Sequence, residues 1–454
     1  MPRATATAEP TIEKKGYTDQ RAKTVLLEAL RGRNGQLTRA DAMAASGLPQ
    51  DETQRGLTLL LKEYRSHLSA TESGELLYQF DPQFERRDAV PFRERAAAIG
   101  NVLWKGFSFL FKVTIMGTLV VYFTAFVAML IALVFARSND RDDDDRGGFG
   151  GLFWIWGWGI GGNPDPYGRA PARPRQPPFY KSVFAFVFGP PLPAVDPLRD
   201  EKELLSFIRG NDGRIAAADL VRLMGWDFAR AEEEVTRLMV DYDGEPEVTD
   251  DGVVLYVFKD LRKTVEGAAI GDRLLRPRLA WERLEPEPVL TGNSPDRNTV
   301  IGLFNAFNLS APLWVVPMFE AKFRISLAAW DFLLRDFPLA FSSVFFGVPL
   351  VRWLKARLGR PRRAAANQRR SLLQRIFASL APRRREDLAP TKELGAALDK
   401  ELVALGGDVE PDEDGRLHYH FPRIKQELEA VAKARATAPR LERDPGAVVF
   451  SSTD

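Results

Sequence analysis

The chain has 454 residues, 45% hydrophobic and 27% charged, with 63 basic against 61 acidic side chains. This balance excludes a globally basic nucleic-acid binder, and the absence of cysteine excludes disulfides, thiolate nucleophiles, iron–sulfur clusters and cysteine zinc sites. Only His67, His418 and His420 offer an imidazole, so the usual general base and the commonest metal ligand are scarce.

Residues 1–18 are polar and mixed in charge, which predicts a disordered N-terminus without a secretory signal. An apolar run further in is then expected to serve as the insertion signal. Residues 19–88 form a first module. Its periodicity predicts a helix over Gln20–Arg31 with Val25, Leu26, Ala29 and Leu30 as the apolar face, and Thr38 with Asp41 supplies a capping box for the next helix. A third helix is expected from Asp51 to His67, and Ser73-Gly74 turns a closing hairpin.

The region 100–137 contains the uncharged run Val113–Phe135, long enough as a helix to cross a hydrocarbon core of roughly 30 Å. Lys105 and Lys112 flank one end, while Arg137 and Asp142–Asp145 flank the other. Basic residues around this run are too evenly divided to orient it. In residues 138–196, Trp154, Trp156 and Trp158 alternate among glycines and predict an interfacial or re-entrant segment, and the aromatic stretch Phe179–Phe188 fits the interface as well.

After a second module at 197–264 and a linker at 265–298, residues 299–354 form a second membrane region. Thr299–Phe319 is uncharged but holds Asn305, Asn308, Pro312 and Pro317, and with Phe337–Val351 it predicts a helical hairpin. A basic linker at 355–365, a third module at 366–428 and a tail at 429–454 complete the chain. From Val351 to Arg385 there are twelve basic residues and no acidic one. By the positive-inside rule this flank is cytoplasmic, and Arg352, Lys355, Arg357, Arg360, Arg362 and Arg363 are expected to contact anionic lipid.

The modules repeat. Arg31, Gly35, Leu37, Asp41, Gly47, Tyr64, Gly74, Tyr78 and Phe80 recur 178 positions later as Arg209, Gly213, Ile215, Asp219, Gly225, Tyr242, Gly252, Tyr256 and Phe258. A third copy keeps the end of the pattern from Asp412 to Phe421. The expected order of helix, short strand, two helices and hairpin is that of a winged helix. The predicted fold class is therefore mainly α with small β-hairpins: three winged-helix-like modules plus transmembrane or interfacial helices.

Winged helices often place their third helix in the DNA major groove. Here the turns carry Glu72, then Asp250 and Asp251, then Asp412, Glu413 and Asp414, which would repel phosphate. The second copy, Arg199–Lys263, has ten basic and sixteen acidic residues. Only Arg55, Lys62 and Arg65 in the first copy form a modest basic set for nucleic-acid contact. His418 and His420 share a strand face, but no third metal ligand stands near them in sequence.

At YKSVFAFVFGP (Tyr180–Pro190), the segments Gly244–Phe258 and PLVRWLKARLGR (Pro349–Arg360), the chain resembles a little-characterised family of membrane proteins of cyanobacteria and plant chloroplasts. The resemblance extends over most of the chain from Val113 onward. It implies a membrane protein with repeated winged-helix modules and brings no catalytic residue to transfer. Some plant members carry iron–sulfur assembly labels, for which a chain without cysteine offers no chemistry.

The expectation is a non-enzymatic integral membrane scaffold, in a bacterial inner membrane with at least its third module cytoplasmic. Its winged-helix modules make protein contacts and self-assemble, so its partners are membrane lipids and a second copy or another membrane-associated protein. A membrane-tethered nucleic-acid regulator is one alternative, against which the acidic turns argue. A channel or transporter component, resting on Asn305, Asn308, Asp331 and Arg335, is another. No phosphate loop, nucleophile elbow or metal cluster is present in the sequence, and no cofactor is expected.

Overall fold

The computed structural model describes residues 18–31, 36–81, 83–87, 92–138, 177–191, 196–262, 276–437 and 446–452, with backbone alone at 92–103 and 137–138. The chain is mainly helical with small antiparallel sheets. It opens with α1 (Asp19–Leu30), β1 (Gln36–Leu37), α2 (Arg39–Ser46), α3 (Gln50–Glu63), β2 (Ser66–Thr71) and β3 (Leu76–Phe80). α4 (Phe92–Ser138) and α5 (Phe179–Phe188) follow, then α6 (Arg199–Gly210), β4 (Arg214–Ile215), α7 (Ala217–Met224), α8 (Phe228–Tyr242), β5 (Glu245–Val248) and β6 (Val254–Val257). α9 (Pro295–Phe323) and α10 (Phe337–Leu358) lead into α11 (Arg360–Ala378), β7 (Arg383–Arg384), α12 (Arg385–Leu388), α13 (Lys392–Ala404), β8 (Asp408–Pro411) and β9 (Leu417–His420). α14 (Pro422–Thr437) and β10 (Val448–Ser451) close the chain.

Two compact units result. One gathers Met1–Val90, Val195–Glu285 and Arg363–Asp454; the other gathers Pro91–Ala194 and Pro286–Arg362. In the first unit one element order occurs three times, and β1 and α2 recur 178 positions on as β4 and α7. The local causes recur too. Asp41 Oδ2 accepts from Thr38 N at 3.0 Å at the start of α2, and Asp219 Oδ2 accepts from Ala216 N at 3.1 Å at the start of α7. Both helices stop at a glycine with φ +75°, Gly47 and Gly225. The three sheets are ordered β1-β3-β2-β10, β4-β6-β5 and β7-β9-β8, and Gly74, Gly252 and Gly415 give their hairpins the positive φ they need.

The third helix of the first module ends four residues short of the expected His67. Tyr64 leaves the helical region with its ring buried, and Ser66 to Ala70 pair in register with Phe80 to Leu76. Ladder hydrogen bonds and a buried tyrosine outweigh one further helical turn. β10, from the chain's own tail, pairs antiparallel with β2 and covers the outer edge of that sheet.

One continuous core joins the three modules. Ala40, Met43 and Ala44 of the first pack with Leu204, Leu220, Val235 and Phe258 of the second and Leu373, Leu398, Tyr419 and Phe421 of the third. A second cluster lies in the first module and takes in Leu198 of the second; within it α1 and α3 approach so closely that a Cβ at Gly56 would stand 2.4 Å from Leu26 Cδ1. Each buried leucine contributes about 1.5–3 kcal/mol, so a core shared in this way binds the modules as one body.

The second unit is built of α4, α5, α9 and α10. Trp104–Ala136, Pro295–Phe323 and Phe332–Ala378 are three helices long and apolar enough to cross a membrane. α4 alone has 47 residues, roughly 70 Å of helix against the roughly 30 Å of a hydrocarbon core. Large apolar side chains face outward along these helices, with Val121 63%, Leu313 67% and Val344 64% exposed. Water would oppose such a surface and lipid accommodates it, so the unit is membrane-associated.

Within it α4 and α9 run parallel. Leu119 and Phe123 pack with Ile301 and Phe304, and further along Phe126 and Leu133 pack with Val315 and Val316. The rings of Phe123 and Phe304 stack at 4.2 Å. After the π-helical turn Phe332–Asp336, α10 returns antiparallel, with Phe337 stacked on Tyr122 and Phe345 on Phe186. The stretch 355–365, expected as a linker, is helical on both sides of Gly359, because its alanine, arginine and leucine residues are strong helix formers.

Candidate functional site

In the first unit, charged side chains tie one module to the next. Asp41 is fully buried at the third position of α2, and its Oδ1 accepts from Arg209 Nη2 at 2.8 Å. Arg209 ends α6, so the second module neutralises a carboxylate of the first. The equivalent Asp219 accepts from Arg435 Nη2 of α14 at 2.7 Å. Burial pushes the Asp219 carboxyl above its usual range, and Arg435 and the Ala216 N–H pull against that rise.

α14 makes a further tie at the start of α7, where Glu427 Oε2 accepts from Ala218 N at 2.8 Å. Arg423 on α14 lies over the Phe228 ring at 3.8 Å and pairs with Glu232 of α8. Glu203 on α6 is fully buried and gathers Arg199, Arg278 and Arg283 at 3.0, 2.9 and 2.7 Å. Burial would raise the Glu203 carboxyl, but the Arg278 N–H and these guanidinium groups outweigh it and hold it below the usual range.

The sequence-predicted positions distribute as follows. Arg55 faces Asp19 at 3.6 Å and Glu52 at 3.9 Å, and Arg65 faces Glu85 at 3.2 Å. Lys62 is exposed on α3. His418 Nε2 meets Asp412 at 3.1 Å and His420 Nε2 meets Glu410 at 3.7 Å, which draws the two imidazoles to separate carboxylates. Asp412 Oδ1 also accepts from Arg416 N at 2.7 Å and Asp414 N at 3.0 Å, making it a turn-forming residue.

Trp154, Trp156 and Trp158 lie outside the described residues, as do residues 1–17. Arg352 donates to Val187 O at 3.3 Å and covers Gly189, so it clamps α5 to α10. Arg357 lies over the Trp353 ring at 5.3 Å, and Arg360 pairs with Glu287 at 3.1 Å. Lys355 and Arg362 are exposed, and Arg363 is half-buried.

Asn305 and Asn308 are both buried in the second unit. Asn305 Nδ2 donates to Ser342 O of α10 at 3.1 Å, and Asn308 Nδ2 donates to Leu119 O of α4 at 2.8 Å. Each amide thus joins two helices through a backbone carbonyl. Arg335 pairs with Glu320 at 2.5 Å and Asp331 at 3.4 Å where α9 turns toward α10.

The helix directions give this unit two unlike ends. Among the described residues, one holds Lys105, Lys112, Lys181, Arg297, Arg352, Lys355 and Arg357 with Asp296 as a carboxylate beside them; at the other, Lys322, Arg324 and Arg335 are balanced by Glu320, Asp331 and Asp336. Arg297 donates to Ser182 Oγ at 2.6 Å and Pro190 packs on Gly292, which fixes both ends of α5 at the basic end. The chain leaves α4 at Ser138 at the far end and stands at Pro177 at the basic end. Sequence counting missed this charge asymmetry because it depends on which helices run parallel.

An uncharacterised chloroplastic protein of Arabidopsis thaliana is 23% identical over 413 residues, covering 82% of this chain and 75% of the plant protein. No family model and no solved structure matches the chain.

Proposed function

We propose that the chain is an integral membrane scaffold whose three modules are winged helices used for protein contact. The carrying observation is the core shared by all three modules, reinforced where Arg209 of the second neutralises the buried Asp41 of the first. Charged and aromatic groups that an isolated winged helix could offer to nucleic acid are in part engaged within the protein. α8, the third helix of the second module, engages Arg423 through Glu232 and Phe228, and Arg55 and Arg65 already face carboxylates. Asn305, Asn308, Asp331 and Arg335 are engaged between helices, which favours a structural role for them over transport.

The shared core also speaks for topology, since a bilayer cannot pass between modules packed side chain to side chain. All three modules then lie on one side, and the basic end of the helical unit makes that side cytoplasmic in a bacterial inner membrane. The likeness to a chloroplastic plant protein fits a family of cyanobacterial and chloroplast membrane proteins with this repeated architecture.

Acidic wing turns and exposed module faces remain for a second copy or another membrane-associated protein. Crosslinking in native membranes, followed by mass spectrometry, tests this. The expected result is a species above the monomer with crosslinks from the modules; recovery of monomer alone contradicts it.

A further inference from the structure

The basic end of the helical unit carries an open pocket of about 350 Å³ between α4 and α5. Lys105, Ser108 and Lys112 line one wall and Tyr180 and Lys181 the other, with Trp104 and Phe109 at the margin. Positions 105, 108, 109 and 112 follow helical spacing, so one face of α4 presents all four. The wall is firm: Phe109 meets Tyr180 edge-on at 5.8 Å, and Lys112 Nζ stands 4.8 Å from the centre of the Phe184 ring. Among the described residues, three lysines and two hydroxyls face the pocket and no carboxylate lines it.

Beside the pocket the surface is apolar. Trp104 is 66% exposed, and Phe107, Leu110 and Phe111 also face outward along α4. Cationic groups next to exposed aromatic and aliphatic side chains, at the end of a membrane-crossing helix, match a molecule that is anionic at its head and hydrocarbon below. We infer that this pocket binds one anionic phospholipid. Its phosphate is held by Lys105, Lys112 and Lys181 with hydrogen bonds from Ser108 and Tyr180, and its acyl chains lie against α4. The site is separate from Arg352 and Arg360, which are engaged with Val187 and Glu287.

This inference rests on the membrane reading, and the test separates the two. The full chain is placed in nanodiscs holding equal phosphatidylglycerol and phosphatidylcholine, then released for native mass spectrometry. The wild-type chain is expected to retain one phosphatidylglycerol with a preference of about tenfold or more. The triple variant Lys105→Gln, Lys112→Gln, Lys181→Gln loses that preference while still entering the discs, and the corresponding triple arginine variant keeps it. Undiminished preference in the glutamine variant, or displacement of the lipid by excess inorganic phosphate, overturns the site and leaves the membrane reading standing. A wild-type chain that does not enter the discs overturns both.

Discussion

Arg209 carries more of the architecture than its place at a helix end suggests. Its guanidinium is the partner of Asp41, whose side chain is fully buried, so removing it strands a carboxylate away from water. Arg209→Ala is therefore expected to destabilise the first unit by about 3–5 kcal/mol, seen as a lower Tm of the purified chain. Replacing the pair together, Arg209→Met with Asp41→Asn, should restore most of the loss because no charge is left unpaired. An unchanged Tm for Arg209→Ala contradicts the assignment. Both residues stand out in the sequence as repeated positions. Their pairing does not, because it runs from Arg209 of the second copy to Asp41 of the first, and spacing within one copy cannot display a contact between copies. Glu203 was hidden for a similar reason: Arg278 and Arg283 reach it from some eighty positions away in the chain.

At the scale of elements, the helices of the membrane unit are held by aromatic packing and by two buried amides. Asn308 is the more direct of these, since its bond to Leu119 O joins α4 to α9 beside the Phe123–Phe304 stack. Asn308→Leu keeps the size of the side chain and removes the bond. It should weaken the bundle by about 0.6 kcal/mol and by no more than about 1.7, measured as unfolding in increasing SDS in mixed micelles. A loss well beyond that range would mean that Asn308 does something other than join two helices. The apolar runs were readable from composition alone as helices long enough to cross a membrane, because an all-round apolar helix has no polar face to conceal. The end of α3 was not readable: only the partner strand β3 explains why Ser66 and His67 are extended. Nor was the helical state of 355–365, where the charge run suggested a linker although the backbone propensities favoured helix.

For the whole molecule, the sequence left open how a span between two copies of one module could leave both copies on the same side. Within the helical unit, the basic end holds the start of α4, both ends of α5, the start of α9 and the end of α10, and the proposal that all copies share one side builds on this. Positive charge drawn from four separate helices accumulates there, and a count along the chain disperses it. The absence of native cysteine makes this topology directly measurable. Single cysteines at Ser73, Asp250, Glu413 and Ser326 place one label in each module and one between α9 and α10, all at exposed positions. In sealed cells treated with a membrane-impermeant maleimide, the account predicts labelling of Ser326→Cys alone, with the three module positions reacting only after permeabilisation. Labelling of one or two module positions from outside would place the modules on opposite sides of the membrane and contradict the shared core.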